Sequence, residues 1–311
     1  MTKEKSYSEM RREFYDRYYK TIVPKVRIHE NERKNKNILS IIIIIVCTII
    51  SLAIIYSIIK IGNEDAADSL GRLALFVFIL GITSRYMIKK SFENSIKEKI
   101  MPIVCSCFNN LTWSNLSDYR IQDYLDSGVI PVYHNSSSDD IFRGKHKNVD
   151  FEILELELEI GSGKNRRTVF DGVVIRLDMN KNFSSHTIIT PDTLLHASPI
   201  KDLRHTTLED TNFEKKFDVF TNDEVDARYL ITPTFMERLK NMKTAFKANK
   251  IRCSFYKQYL FVALSTNKDL FSLCSLTKPI DDSKQYFEMY EEIVSIVKLI
   301  DHFKLNQKIG L

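Results

Sequence analysis

Apolar residues gather in two long runs near the front of this 311-residue chain and recur at fixed spacings after them. The first run extends from Ile38 to Ile61 and the second from Leu70 to Ile88. At 24 and 19 residues, both lie close to the ~20 that a helix needs to cross the hydrocarbon core of a bilayer. The stretch Ile41-Ile42-Ile43-Ile44-Ile45-Val46 has no polar face to turn to water, which argues against a core helix of a soluble domain. The first run also starts too late, runs too long and lacks the small-residue cleavage site of a signal peptide. The pattern predicts a two-helix transmembrane hairpin, residues 38–61 and 70–88, joined by a short loop at 62–69.

The flanks show helical spacing. Tyr7, Met10, Phe14, Tyr18 and Ile22 recur every three or four residues among Arg11, Arg12, Arg17 and Lys20, which predicts an amphipathic helix within residues 1–37, ended or kinked by Pro24. Its apolar face has two candidate seats: a bilayer surface, or the segment after the second run, where Phe92, Ile96, Ile100, Ile103 and Cys107 repeat with a similar period. Residues 89–148 read as a helical connector containing a short helix from Ser117 to Asp126, stopped at Ser127-Gly128.

From Val149 onward the period falls to two. Val149, Phe151 and Ile153 alternate with polar residues; Leu154, Leu156, Leu158 and Ile160 continue on the opposite parity, with Glu155, Glu157 and Glu159 between them. A parity change without a break predicts a β-bulge at 153/154. Gly161-Ser162-Gly163-Lys164 then turns the chain into a strand from Thr168 to Met179. That turn is not a phosphate loop, because Leu158 and Asn165 stand where the motif needs Gly and Ser or Thr. Further strands are predicted at Thr187–Thr190, Phe213–Phe220, Ile251–Phe255 and Tyr259–Leu264. Helices are predicted to begin at Thr221, as the N-cap of a capping box closed by Glu224, and at Thr232-Pro233, with Phe235, Leu239, Met242 and Phe246 on one face. A last helix, Ser283–Phe303, carries Tyr286, Tyr290, Ile293, Val297 and Ile300. The fold class is α+β: residues 149–311 form a mostly antiparallel sheet with helices packed on one side.

Charge orients the hairpin. Residues 1–37 hold 11 Lys/Arg against 6 Asp/Glu, residues 38–91 hold 5 against 3, and the remaining 220 hold 29 against 31. Lys25, Arg27, Arg33, Lys34 and Lys36 precede the first run, Arg85, Lys89 and Lys90 close the second, and the loop between is acidic. The positive-inside rule therefore places both termini in the cytoplasm. The near-neutral C-terminal part does not favour a nucleic-acid partner. Lys60 sits where it can snorkel, and Arg72 is spaced to pair with Asp68. The five cysteines, Cys47, Cys105, Cys107, Cys253 and Cys274, lack zinc-ligand spacing and read as reduced and structural.

Candidate chemistry is sparse. Asp223, Glu224 and Asp226 form the densest acidic cluster, with Arg228 one turn on; helix capping and the helix dipole account for charges opening a helix. His186, His196 and His205 lack a matched nucleophile or a zinc-pair spacing. No catalytic residue, metal or cofactor is assigned.

Taken together, Phe142-Arg143-Gly144, the Glu-rich strand 152–159, Val169-Phe170-Asp171-Gly172, the block Phe213–Phe220 and the block Asp223–Pro233 resemble the hallmark segments of a bacterial family of unknown function, numbered three-one-three-seven. The resemblance extends to the layout of a Phe/Tyr-rich N-terminal helix, two membrane helices and an α+β domain. It implies a bacterial cytoplasmic-membrane protein with no established activity and supplies no catalytic residues. The resulting expectation is a non-enzymatic binding or scaffold module, anchored in the bilayer, whose partner is a membrane or cytoplasmic protein. The alternatives are a domain that binds lipid or a small ligand, aromatics such as Phe255, Tyr256, Tyr259 and Phe261 lining its pocket, and, after that, an enzyme using the Asp223–Arg228 region.

Overall fold

A computed structural model describes residues 6–61, 64–108, 111–115, 120–192, 198–266, 270–271 and 273–302. Residues 62 and 63 of the predicted loop, the first residues of the short helix predicted from Ser117, His196, the Met242 side chain and Phe303 lie outside the described residues. The chain divides into two compact units, one of residues 1–107 with 272–287 and one of residues 108–271 with 288–311.

In the first unit, helix α1 (Tyr7–Arg17) is capped by Ser6, whose hydroxyl accepts from the Glu9 amide while the Glu9 carboxylate accepts from the Ser6 amide at 2.7 Å. A π-turn at Tyr18–Ile22 leads into α2 (Val23–Arg27). Pro24 has no N–H to complete the α-helical ladder, so the chain widens by one turn ahead of it rather than ending there. Phe14, Tyr18, Ile22, Val23 and Val26 are buried.

Helices α3 (Glu30–Ile61) and α4 (Glu64–Cys105) form an antiparallel pair. Ser51 Oγ donates to the Ala74 carbonyl at 3.0 Å, and a Cβ on Gly81 would meet the Cys47 side chain. Small residues thus let the two backbones approach closely. The outer surface is apolar and exposed, with Ile42, Ile49, Leu52, Ile59, Leu75, Phe76 and Leu80 among its residues. Both helices are long and apolar enough to cross a membrane. Arg72 pairs with Asp68 at 2.7 Å, as the spacing predicts.

The segment following Ser272 has no helix or strand until Ser283, so other parts of the unit must satisfy its backbone. Arg33 donates to the Leu276 carbonyl at 2.8 Å while its other nitrogens hold Glu30. Glu30 in turn accepts from the Ile280 amide and Glu93 from the Leu276 amide. Tyr18 donates its hydroxyl to the Asp281 carbonyl at 2.7 Å, and Arg27 pairs with the Asp281 carboxylate. Rings of Phe14 and Phe287 meet edge to face.

The second unit is a nine-stranded sheet: β1 (Thr112–Ser114), β2 (Asn135–His146), β3 (Val149–Ile160), β4 (Arg167–Asp178), β5 (Thr187–Pro191), β6 (Arg204–Thr206), β7 (Phe217–Thr221), β8 (Lys250–Tyr256) and β9 (Tyr259–Ser265). The spatial order is β1-β2-β3-β4-β9-β8-β5-β7-β6, and neighbouring strands are antiparallel. Shorter helices are α5 (Ile121–Asp126), α6 (Thr211–Glu214) and α7 (Glu224–Leu230), and longer ones α8 (Pro233–Ala245) and α9 (Ser283–His302), which begins in the first unit. The fold class is α+β. The predicted helical connector contains two strands, β1 and β2, and the predicted strand Phe213–Phe220 divides into α6 and β7.

Two expectations about the sheet are corrected. Helices do not cover one side only. Tyr124 of α5 packs with Leu154, Leu156, Leu158 and Phe261 on one face, whereas Phe142 and Phe255 on the other meet Phe271 and Phe235 of α8. This double cover explains the second correction. Strand β3 has no bulge at 153/154; Ile153 and Leu154 are both buried because each face has its own cover. The bulges lie in its partners, where Asp139 and Asp140 of β2 oppose Glu155 and where Val169 is extra in β4.

Gly172 is the position where the sheet tolerates no side chain. Its φ is +152°, and a Cβ there would run into the Leu264 carbonyl of β9. Gly172→Ala should destabilise the sheet by about 3 kcal/mol through backbone strain and forced separation of β4 from β9. Chemical denaturation of the full chain, read by fluorescence of the single tryptophan, Trp113, should show a lowered midpoint; an unchanged midpoint would refute the close approach.

Candidate functional site

The predicted cluster is a helix start. Asp223 caps α7, its carboxylate accepting from the amides of Val225 at 2.9 Å and Asp226 at 3.1 Å. Thr221 is therefore not the N-cap: its backbone is still paired with Thr187 in the sheet, and its hydroxyl accepts from the Asp223 amide instead. Glu224 and Arg228 are exposed and 3.9 Å apart, a weak solvated pair. Asp226 accepts a short hydrogen bond from Ser185. The four residues are neighbours but do not converge on one point.

Histidine 186 comes closest to a catalytic arrangement. Its Nε2 lies 3.2 Å from Ser254 Oγ, but also 3.0 Å from the Ser127 carbonyl. A carbonyl only accepts, so the proton sits on Nε2 and that nitrogen is not a base toward the serine. Burial pulls the imidazole below its usual range despite the Ser127 contact. His205 pairs with the buried Asp218 at 3.3 Å. Cysteines are free and, apart from Cys47, buried; burial pushes the Cys253 thiol up and the Cys274 thiol to about 12, which leaves both unreactive near neutrality.

The tertiary structure assembles three groupings that sequence spacing does not reveal. On the α5 face, the buried Glu152 accepts from the Tyr124 hydroxyl at 2.6 Å and Arg143 Nε at 2.6 Å, with Arg176 at 3.5 Å. Burial first, then the Glu152 charge, pushes the Tyr124 phenol well above 10, so it remains a donor. Arg176 also approaches Asp123 and stacks over the Tyr259 ring. Register creates the network: Arg143, Glu152 and Arg176 lie side by side on β2, β3 and β4.

On the other face, the β2 bulge brings Asp139 and Asp140 against Glu155. Donor atoms of the three lie within 4.8 Å of one another, the described carboxylates best placed for a hard cation. Trp113 Nε1 donates to Asp140 at 2.6 Å and the Leu270 amide to Glu155 at 3.0 Å.

The third grouping is a cleft of about 310 Å³ lined by Pro191, Lys216, Phe217, Lys240, Lys243, Thr244 and Ile251. Lys240, Lys243 and Thr244 share one face of α8 at i, i+3 and i+4. Lys216 arrives from the start of β7, opposite the end of β5, where its carbonyl accepts from the Asp192 amide at 3.0 Å.

Replacing Glu152 with Gln should cost about 3 kcal/mol, because two arginines lose their buried counter-charge. Tyr124→Phe should cost about 1–2 kcal/mol, the penalty of an acceptor left short of a donor. Trp113-monitored denaturation checks both, and equal midpoints for the variants and the parent would remove the network from the account of stability. Since His186 titrates lower when folded, stability should fall as pH drops below the unfolded value of ~6.5. His186→Asn should flatten that part of the pH profile.

No curated protein sequence matches the chain. A crystal structure of the mycobacterial trehalose monomycolate transport factor A, TtfA, aligns with 12% sequence identity and a TM-score of 0.36, covering 62% of this chain and 88% of that one. A likeness at that score supports no inference about fold or cargo. The family match begins at Thr168, so the Phe142 block and the Glu-rich strand lie outside it, while the blocks at 213–220 and 223–233 fall within it. Residues 168–305 of this chain, less than half of it, match the model of the family described as Protein of unknown function (DUF3137).

Proposed function

We propose that the protein is a membrane-anchored binding module, with α3 and α4 crossing the bilayer and the sheet unit presenting its binding surface in the cytoplasm. The observation that carries this reading is the exposed apolar surface of the hairpin. The most apolar windows of the two helices have mean hydropathies of 3.3 and 1.5, and only 11% of each is buried. A helix of a soluble core would hide that surface, whereas hydrocarbon would cover it here.

Antiparallel packing puts the residues before α3 and those after α4 at the same end of the hairpin. Both flanks are basic, and residues 62–69 between the apolar runs are acidic, although 64–69 of that predicted loop are the first turns of α4; this supports a cytoplasmic location for the flanks and an outer location for the tip of the hairpin. Binding is favoured over catalysis by how the polar groups are used. Asp223 caps a helix, Glu152 neutralises arginines, and His186 serves a backbone carbonyl. A protein partner in the membrane or cytoplasm fits this reading. The cleft beside α8 favours a second one, a lipid or small ligand held at the membrane.

Cys253 and Cys274 are too buried to report topology by labelling, so single cysteines at Asp68 and Lys164 in a cysteine-free background serve instead. A membrane-impermeant maleimide applied to intact cells should label Asp68→Cys and spare Lys164→Cys until the membrane is permeabilised. Labelling of Lys164→Cys in intact cells would overturn the proposed orientation.

A further inference from the structure

We propose that the cleft between α8 and the β5–β7 strand ends binds a phosphate-bearing ligand through Lys216, Lys240 and Lys243; this rests on the binding reading above and names its ligand class. Three lysines from two separate elements line one cleft, and its described lining residues include no carboxylate. Like charges so placed repel one another. Lys240 is balanced by Asp210 at 3.2 Å, and its ammonium also sits over the Phe213 ring. Among the described residues, Lys216 and Lys243 have no ion-pair partner, and both are exposed at the mouth. An anion drawn into the cleft would relieve the repulsion and gain charge-assisted hydrogen bonds.

The type of base narrows the class of anion. Lysine is a compact point charge with rotatable donors, suited to a tetrahedral phosphate, whereas planar recognition of a carboxylate favours arginine. Thr244 adds a hydroxyl on the same helix face. Pro191, Phe217 and Ile251 give the cleft an apolar part, which fits the carbon side of an ester better than bare inorganic phosphate. A volume of about 310 Å³ is at the small end of ligand sites, room for a headgroup-sized phosphate ester. That chemistry has two sources, a phospholipid headgroup and a soluble phosphate ester.

Lysine reactivity in the full-length protein separates them. The protein is held in dodecyl maltoside micelles, which carry no phosphate, and labelled with an amine-acylating reagent, with sites read by mass spectrometry. One arm adds inorganic phosphate and glycerol 3-phosphate, and the other adds phosphatidylglycerol to the micelles. Lys216 and Lys243 should lose several-fold in reactivity relative to the exposed Lys164 and Lys201, which lie outside the cleft. Protection in the soluble arm assigns a soluble ester, protection in the lipid arm a headgroup, and protection in both a site open to either. K216Q/K243Q should weaken phosphate-ester binding about tenfold, as expected for lost charge-assisted hydrogen bonds. K164Q/K201Q, which removes the same charge elsewhere, should leave it unchanged. Absence of protection in both arms, or equal protection of all four lysines, would overturn the proposal. Either result would leave the cysteine-labelling test of the anchored module standing, so the two failures are distinguishable.

Discussion

The first unit depends on the Glu30–Arg33 pair and what it holds. Residues 273–282 have no regular secondary structure, yet Leu276 and Ile280 are buried among helices. Buried backbone without a ladder needs partners from side chains. Arg33 supplies a donor to the Leu276 carbonyl, Glu30 an acceptor for the Ile280 amide, and Glu93 an acceptor for the Leu276 amide. Each charge also has its counter-charge, so Arg33 raises no orphan penalty despite its burial. Its guanidinium draws the Glu30 carboxyl below the usual range, so the pair persists above that range and is lost only in acid. Deleting either residue would strand the other together with a backbone group.

The second unit solves a different problem, that of a sheet covered on both faces. Each face needs its own apolar cover, and each cover brings polar atoms that must be satisfied. On the α5 face, the Tyr124 hydroxyl and two arginines answer Glu152. On the opposite face, Trp113 and the Leu270 amide answer Asp140 and Glu155. The absence of a side chain at Gly172 lets β4 pair with β9, which joins strands β1 to β4 with β9, β8, β5, β7 and β6 in one sheet.

Much of the candidate site was not legible in the sequence, for a consistent reason. Asp223, Glu224, Asp226 and Arg228 drew notice because they are adjacent, but adjacency on a helix start leads to capping. Groups that do converge come from distant positions. Arg143, Glu152 and Arg176 meet through strand register, Asp139 and Asp140 reach Glu155 through a bulge, and Lys216 lines one cleft with Lys240. The one forewarning was the pair of parities in 149–160: glutamates at 152 and 155 stand on opposite faces, and each became the centre of a polar group.

What the sequence determined by itself was local. Runs of apolar residues set the two long helices, a spacing of three and four set α1, α8 and α9, and alternation bounded by glycines set β3 and β4. These features repeat within a few residues, and backbone geometry alone fixes their period. That both faces of β3 are covered, whether α7 starts at Thr221 or Asp223, and which lysines share a cleft were decided by tertiary structure. Those outcomes depend on contacts between residues far apart in the chain, and a one-residue change of register would reverse them while leaving every local pattern intact.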